Sequence, residues 1–483
     1  MKNSINQNKI FKRIFFVVSI SVITFYSCAP TQKGIIQENK NVPVTFKNES
    51  LDTLNTAKIK WKDFFSDENL ISLIDTALKN NQELRIMLQQ IEMSKNEIKT
   101  RKGEYLPFVN YYASADLEKV GKHTRNGSVE EQLTIDGEHF PEPLANYSLG
   151  LSASWELDVW GKLRNGKKAA VLEYLSSIEG KNFMVTNLVS EIASSYYELM
   201  ALDNQLNIIN QNLEIQQNAL KMMKLQKEAA RVTELAVRRF DAEVYKNQSS
   251  QYEIEQKIVE TENKLNFLIG RYPQNIKRNS DNFIEEKIAF LHSGIPSQLL
   301  ENRPDIKRAE FELSAAKLNT KIAKANFYPS FEIKAGLGLQ AFKPQFLTST
   351  PESFIFSLID DIVGPLINKN AIKAAYNNAN SQQLQAIYEY EKTILYAFIE
   401  VENQLSNSSN LKKSYDLKQK QVHALKESID LSILLFKSAR AEYTEVLLTQ
   451  REALDSKIEM VETKKDQFIA NVAIYKSLGG GWE

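Results

Sequence analysis

The sequence predicts an α+β fold built from two repeats, each with a helix, two strands, a long helix and a shorter helix. Three features of the 483-residue chain predict this fold. Two long stretches almost exclude proline and glycine, the residues that interrupt helices. Four segments alternate apolar and polar residues, as strands with one apolar face do. Short motifs recur in the same order in both halves, which indicates an internal repeat.

The N-terminal residues 1–27 are predicted to be a signal peptide rather than part of the fold. A basic segment precedes an apolar run at 14–25, which is too short to span a bilayer. The run is followed closely by Cys28, the single cysteine of the chain. This arrangement resembles a bacterial lipoprotein signal, which implies that Cys28 becomes an acylated N-terminus. Residues 28–60 are then expected to tether the folded body to the lipid.

The first repeat is predicted to span residues 61–272. Its strands are expected at about 108–119 and 146–158, where odd-numbered residues are mainly apolar and even-numbered residues mainly polar. A long helix is predicted at about 162–229 and a shorter one at about 233–269. The long helix carries an apolar residue at every seventh position, which is typical of coiled-coil packing: Val185, Ile192, Leu199, Leu206, Leu213 and Leu220.

The second repeat is predicted to follow a linker at 273–296 and to span residues 297–479. Its elements are expected in the same order, with strands at about 330–340 and 354–363, a long helix at about 368–436 and a shorter helix at about 444–478. Matching motifs support the repeat, because YLP at 105–107 corresponds to FYP at 327–329, where each closes a helix and opens a strand.

The four predicted strands suit a membrane barrel in length, since a transmembrane strand needs about 9–11 residues. A soluble sandwich would show the same alternation, so the strands alone leave both possibilities open. After the signal segment no apolar run approaches the length of about 18 residues expected of a transmembrane helix. Four strands cannot close a barrel, and unpaired strand edges are costly in lipid. If these strands lie in a membrane, several chains must complete one barrel.

Six motifs in order resemble those of the TolC-like outer-membrane factors, in the lipoprotein branch of that family. They are 155–164 (WELDVWGKLR), 302–306 (NRPDI), 327–330 (FYPS), 364–366 (GPL), 398–402 (FIEVE) and 478–482 (LGGGW). The resemblance implies a homotrimer with a twelve-stranded β-barrel in the outer membrane, continued by a periplasmic coiled-coil barrel of α-helices. It further implies contact with outer-membrane lipid, a periplasmic adaptor protein and an inner-membrane pump as partners.

The chain departs from the family pattern at the turns between long and shorter helices. The family's glycine is replaced by Ala230 in the first half and by Ala439 in the second. After the second turn, Thr444 and Leu448 stand where the family has its constricting leucine and aspartate, while Arg451 is kept. Spacings of four and three residues place these three side chains on one helix face. The resemblance therefore implies a periplasmic gate at Thr444, Leu448 and Arg451.

Two interpretations of Leu448 remain open from the sequence. A ring of Leu448 side chains would form an apolar collar that blocks ions by excluding water. Alternatively, Leu448 is a residue of the coiled-coil seam. The positive charge of Arg451 is expected to be paired with Glu445 or Asp455, of which Asp455 has the favourable spacing of four residues.

Polar residues of the second strand are predicted to line the barrel lumen. Ser152 and Glu156 belong to the polar face, and Asp158 follows just past it. A solvated or salt-bridged strand end is the alternative for the two carboxylates. Trp155 and Trp160 fit either an interfacial aromatic belt or packing at the corner between strand and helix.

The composition gives no support for catalysis, a cofactor, a metal centre or a nucleic-acid partner. Lys and Arg together number 60, as do Asp and Glu, so the net charge is zero. The four histidines are scattered, and no phosphate-binding or zinc-protease motif occurs. The favoured function is a passive outer-membrane exit channel of a tripartite efflux system. The alternatives are the exit channel of a protein-secretion system and a periplasmic coiled-coil structural or adaptor lipoprotein.

Overall fold

The structure, a computed structural model, describes residues 37–46, 54–135, 137–288, 291–365, 367, 369–438 and 440–482. The predicted signal peptide, the acylation site at Cys28 and the turn residue Ala439 lie outside the described residues.

The first half of the chain contains helices, two long strands and then two further helices. A 3₁₀ turn at Thr56–Lys58 precedes α1 (Trp61–Phe64), α2 (Glu68–Asn80), α3 (Gln82–Glu104) and strand β1 (Phe108–Glu118). The loop after β1 holds α4 (Arg125–Glu130) and the short strands β2 (Thr134–Ile135) and β3 (Glu138–His139). Strand β4 (Leu144–Leu157) and the helices α5 (Lys162–Glu228) and α6 (Glu234–Leu268) complete this half.

The second half contains two helices, two long strands and two further helices. A 3₁₀ turn at Pro296–Gln298 leads into α7 (Leu299–Asn302) and α8 (Pro304–Ala325). Strand β5 (Ser330–Ala341), a 3₁₀ turn at Pro344–Phe346, strand β6 (Phe354–Val363), α9 (Asn370–Lys437) and α10 (Tyr443–Ser477) follow. The long strands and helices end within a residue or two of the bounds expected from the sequence.

The two longest helices, α5 and α9, contain 67 and 68 residues. At about 1.5 Å per residue, each extends for roughly 100 Å. Among the described helices, none combines the length and the apolar character needed to cross a membrane.

Helix α5 ends in a turn that requires a left-handed backbone at Ala230, where φ is 56°. The N–H of Arg231 donates to the carbonyl of Gln226, and that of Ala230 donates to the carbonyl of Lys227, both at 2.8 Å. These bonds satisfy the last carbonyls of the helix in the usual C-terminal capping pattern. Glycine suits this position best, because a Cβ atom makes the left-handed conformation costly.

The four long strands form one antiparallel sheet in the order β1-β4-β5-β6. The register places Leu151 opposite Tyr111 on β1 and opposite Leu337 on β5. Strands β1 and β6 are the edges of this sheet, and β2 pairs with β3 in a separate hairpin.

The chain divides into two compact units. One contains Gln37, Glu92–Tyr174 and Phe311–Ile387, and therefore the whole four-stranded sheet. The other contains the rest of the described residues, in Glu38–Ile91, Leu175–Glu310 and Tyr388–Glu483.

The helical unit has its largest core around the middle of α5. Tyr196 and Leu199 are fully buried there against α2, α6 and α10, together with Phe283 from the linker. Farther along α5, Ile209 and the heptad residue Leu213 pack with α6 and Leu454 of α10. The heptad pattern of α5 thus corresponds to buried packing between helices.

A buried ion cluster joins two of the sequence motifs in the helical unit. Arg303 is 4% exposed and binds both carboxylate oxygens of Asp305 at 3.0 and 2.7 Å. Its Nη1 also donates to Glu400 and to the carbonyl oxygen of Ser477, each at 2.7 Å. The NRPDI motif, the FIEVE motif and the end of α10 are therefore held together by one guanidinium group.

Candidate functional site

The sheet has two chemically different faces. In an antiparallel sheet, directly opposed residues project to the same side, and successive residues alternate sides. One face carries apolar rows, of which the central row is Tyr111, Leu151, Leu337 and Phe356. Tyr111 is 86% exposed and Phe356 is 79% exposed. An apolar face this open is not expected against water, so it marks a surface for lipid or for another protein.

The opposite face of the sheet is polar. Ser152 lies in the row that also contains Asn110, Gly336 and Ser357. Towards the loop end, Ser114 and Ser148 share a hydrogen bond of 2.7 Å, and Gln340 donates to Asn146 at 2.8 Å. The predicted placement of Ser152 on a polar face is therefore observed within one chain.

Two glycines on the polar face allow an aromatic ring to lie close to the backbone. Gly150 and Gly338 are paired across β4 and β5. A Cβ atom built on either would lie 2.8 or 2.9 Å from the hydroxyl oxygen of Tyr112. Glycine is required at both positions because any side chain would collide with this tyrosine or with the facing strand.

A row of charged residues crosses the polar face where the strands meet the helices. Glu156 is opposite Glu332, which is opposite Asp361. The ammonium group of Lys162 lies 2.8 Å from Glu156, and that of Lys334 lies 3.3 Å from Glu332 and 2.9 Å from Asp361. Glu156 was predicted as a lumen residue, whereas Glu332, Asp361 and Lys334 were not singled out from the sequence. The register between strands brings these charged residues together, and the alternation within a single strand does not reveal that register.

The contacts of Asp158 within one chain favour the alternative interpretation, a salt-bridged strand end, over a place in a water-filled lumen. Its side chain is only 2% exposed and forms an ion pair with the Nε atom of Arg164 at 3.0 Å. It also accepts hydrogen bonds from the backbone N–H groups of Leu163 and Arg164 at 3.0 and 2.9 Å. Burial alone would raise the pKa of Asp158, but these hydrogen bonds and the guanidinium group lower it. Asp158 therefore caps the first turn of α5.

Both tryptophans of the WELDVWGKLR motif form hydrogen bonds at the corner between the sheet and the helices. Trp155 donates to the carbonyl oxygen of Tyr105 at 3.1 Å, and Trp160 donates to that of Pro329 at 2.8 Å. The Trp160 ring also stacks on Tyr328, with 4.6 Å between centroids. Since these partners belong to the YLP and FYP motifs, the motifs meet at the corner. An interfacial position remains compatible with these contacts.

The three predicted gate residues lie at the start of α10. Leu447 is 8% exposed and packs with Phe240 in an apolar cluster, whereas its neighbour Leu448 is 40% exposed. Within one chain Leu447 is therefore the buried residue, whereas the side chain of Leu448 stays accessible. Thr444 accepts a hydrogen bond from Arg239 at 3.4 Å.

The expected partners of Arg451 differ from the observed one. Its guanidinium group lies 3.9 Å from the carboxylate of Glu243 on α6, rather than pairing with Glu445 or Asp455 of its own helix. Spacing along one helix suggested Glu445 or Asp455 as the partner, but the packing of α10 beside α6 brings Glu243 to Arg451 instead. Both side chains remain partly accessible to water, so this pair is weak.

The described residues contain no group of three His, Cys, Asp or Glu side chains able to hold a metal ion.

Comparisons with known proteins agree with this geometry. The sequence profile of the outer membrane efflux protein family matches residues 73–271 and 295–480. The chain is 28% identical over 431 residues to the solvent efflux pump outer membrane protein SrpC of Pseudomonas putida, covering 89% of each protein. It is 27% identical over 426 residues to the cation efflux system protein CusC of Escherichia coli, covering 88% of each.

Solved structures show the same fold. The crystal structure of the open state of the MtrE outer membrane channel from Neisseria gonorrhoeae superposes with a TM-score of 0.81 at 23% identity, covering 94% of this chain and 98% of MtrE. The crystal structure of CusC gives a TM-score of 0.80 at 24% identity, covering 94% and 99% of the two chains. Because the family profile covers most of the sequence, this chain belongs to the outer membrane efflux protein family.

Proposed function

We propose that this protein is the exit channel of a tripartite efflux system and conducts drugs or other small solutes passively through the outer membrane. The observation that carries the proposal is the sheet, with an open apolar face on one side and a polar face on the other. In a closed barrel the apolar face would meet lipid and the polar face would line a water-filled lumen. Such a duct needs no catalytic residues.

Three copies would complete the barrel. Strands β1 and β6 leave edges at both sides of the sheet. In lipid, each unpaired backbone group at such an edge costs several kcal/mol, so the edges must pair with those of other copies. Two copies would give eight strands and three would give twelve, and the family resemblance favours three. The helices α5, α6, α9 and α10 of each copy would then form the periplasmic coiled-coil barrel.

The N-terminal segment supports a lipid anchor in the same membrane. We propose that Cys28 is acylated and that residues 38–46 attach the lipid tether to the helical unit. Lys40 lies 2.7 Å from the carboxylate of Glu310, and Phe46 stacks on Phe398 with 5.6 Å between centroids. Phe46 is only 2% exposed, although most of its segment is open to water.

A passive duct requires a source of energy elsewhere. The relative SrpC is named as part of a solvent efflux pump, and CusC as part of a cation efflux system. We therefore propose an inner-membrane pump as the energy source and a periplasmic adaptor protein as the link between pump and channel. Thr444, Leu448 and Arg451 would form the gate at the periplasmic end, where the accessible side chain of Leu448 is available for an apolar collar.

The alternatives predict different measurements. Purified wild-type protein should migrate as a heat-labile trimer on unheated SDS gels and should give defined conductance steps in planar lipid bilayers. A coiled-coil structural or adaptor lipoprotein would show no conductance. If the purified trimer does not conduct, the channel function is refuted. A protein-secretion channel would also conduct, but deletion of its gene would block protein export and leave drug tolerance unchanged. The efflux channel predicts increased drug sensitivity in the deletion strain.

A further inference from the structure

The charged row of the polar face continues into a cleft of the same unit. The cleft has a volume of about 580 Å³ and is bordered by β1, β4, β5 and the helices α3, α5 and α8. Glu156, Glu332 and Lys162 of the row line it. The remaining charged residues of its lining are Glu97, Arg101, Glu104 and Glu173.

Negative charge predominates among these residues. Arg101 is engaged by two carboxylates, Glu97 at 2.8 Å and Glu104 at 3.2 Å. Lys162 and Lys334 are likewise held by the carboxylates of the row. Six carboxylates therefore face three cationic groups, which leaves three net negative charges in each chain. We call the nine residues the charged belt: Glu97, Arg101, Glu104, Glu156, Lys162, Glu173, Glu332, Lys334 and Asp361.

Burial and a neighbouring carboxylate both affect the pKa of Glu173. Partial removal from water raises the pKa of Glu173, and the nearby carboxylate of Glu97 raises it further. Arg101 acts in the opposite direction but does not cancel the two effects.

The belt lies on the polar side of the sheet, opposite the apolar rows. If the apolar face meets lipid, the belt lines the duct where the barrel passes into the helices. Rings of charged side chains select ions by sign, and low-dielectric walls concentrate their field in the lumen. A threefold assembly would repeat the belt three times around one opening.

We propose that the charged belt makes the channel cation-preferring, so that cationic solutes pass more readily than anionic solutes of the same size. This inference rests on the proposed channel function and adds a class of favoured solute to it. Lys334 tunes the preference, because its ammonium group neutralises part of the row formed by Glu332 and Asp361.

The reversal potential of purified channels in planar bilayers under a KCl gradient tests the proposal. At about 0.1 M salt we expect a permeability ratio of K⁺ to Cl⁻ on the order of 10. The ratio should fall towards that of free solution in about 1 M salt, where charges are screened within roughly 3 Å. Liposome swelling should rank glucosamine above glucose and glucose above gluconate, three solutes of similar size.

Adjacent residues of β6 supply a matched control. Asp361 belongs to the belt, whereas Asp360 projects from the other face, in the row of Trp155 and Ile333. Asp361→Asn should lower the permeability ratio severalfold and Lys334→Gln should raise it, while Asp360→Asn should leave it unchanged. Trimers on unheated gels verify assembly of each variant.

Each outcome decides a different point. If the wild-type channel conducts without ion preference or prefers anions, the proposed role of the charged belt is refuted, but the channel function is not. Equal changes in Asp360→Asn and Asp361→Asn also refute the proposed role of the charged belt. Assembled trimers that do not conduct refute the channel itself, and with it this inference.

Discussion

Leu151 and Ser152 offer a direct test of which sheet face meets lipid. They are adjacent near the middle of β4, and their side chains project from opposite faces. Leu151 lies between Tyr111 and Leu337 and is 50% exposed. An arginine facing lipid at the membrane midplane costs about 2–4 kcal/mol. With one substitution in each of three copies, Leu151→Arg should cost roughly 6–12 kcal/mol per trimer.

The control substitution, Ser152→Arg, lies on the polar face of the sheet. Ser152 lies between Asn110 and Gly336, and glycine leaves room for a longer side chain. On a water-facing surface, Ser152→Arg should change stability by about 0.5 kcal/mol or less. At equal total protein, unheated SDS gels of outer membranes should show trimer depleted by tenfold or more in Leu151→Arg only. Ser152→Arg should assemble and change the single-channel conductance. Equal depletion in both variants, or depletion in Ser152→Arg alone, would refute the assignment of faces.

Four further substitutions probe the helices and their ends. Arg303→Ala leaves the partly buried carboxylates of Asp305 and Glu400 without their partner and should cost about 3–5 kcal/mol. The matched change Lys62→Ala, in an exposed ion pair, should cost about 1 kcal/mol or less, and the dissociation temperature of the trimer measures both. Ala230→Gly should stabilise the protein by about 1 kcal/mol by relieving the left-handed backbone, and Ala229→Gly, which has no such strain to relieve, should not. Leu448→Ser should raise resting conductance with trimers intact if Leu448 forms the collar; weakened trimers with unchanged conductance would favour a seam. Asp158→Asn should destabilise the start of α5 at neutral pH. Because the pKa of Asp158 is lowered in the folded protein, its contribution to the free energy of unfolding should be lost as pH falls through the acidic range. Wild type and variant should therefore have similar stabilities at low pH.

Local patterns in the sequence determined the elements of this protein. The near absence of proline and glycine and the seven-residue apolar period predicted α5 at about 162–229, and the structure has it at Lys162–Glu228. Alternation predicted which residues of β4 share a face, so Leu151 and Ser152 were assigned to opposite faces from the sequence. These properties depend on residues that are near one another in the chain, because helix and strand periods are local.

The tertiary structure decided which side chains meet. The charged row depends on the register of β4, β5 and β6, whose residues are far apart in the sequence. The partner of Arg451 is Glu243 on another helix, and Asp158 binds backbone amides of the turn ahead of it instead of facing water. Arg303 directly precedes α8, yet its side chain joins Asp305 to Glu400 and to the end of α10. Such contacts follow from the packing of segments that are distant in the sequence, and the periodicity within one helix or strand does not encode that packing. The sequence therefore determined the elements and their faces, while the tertiary structure determined which side chains are partners.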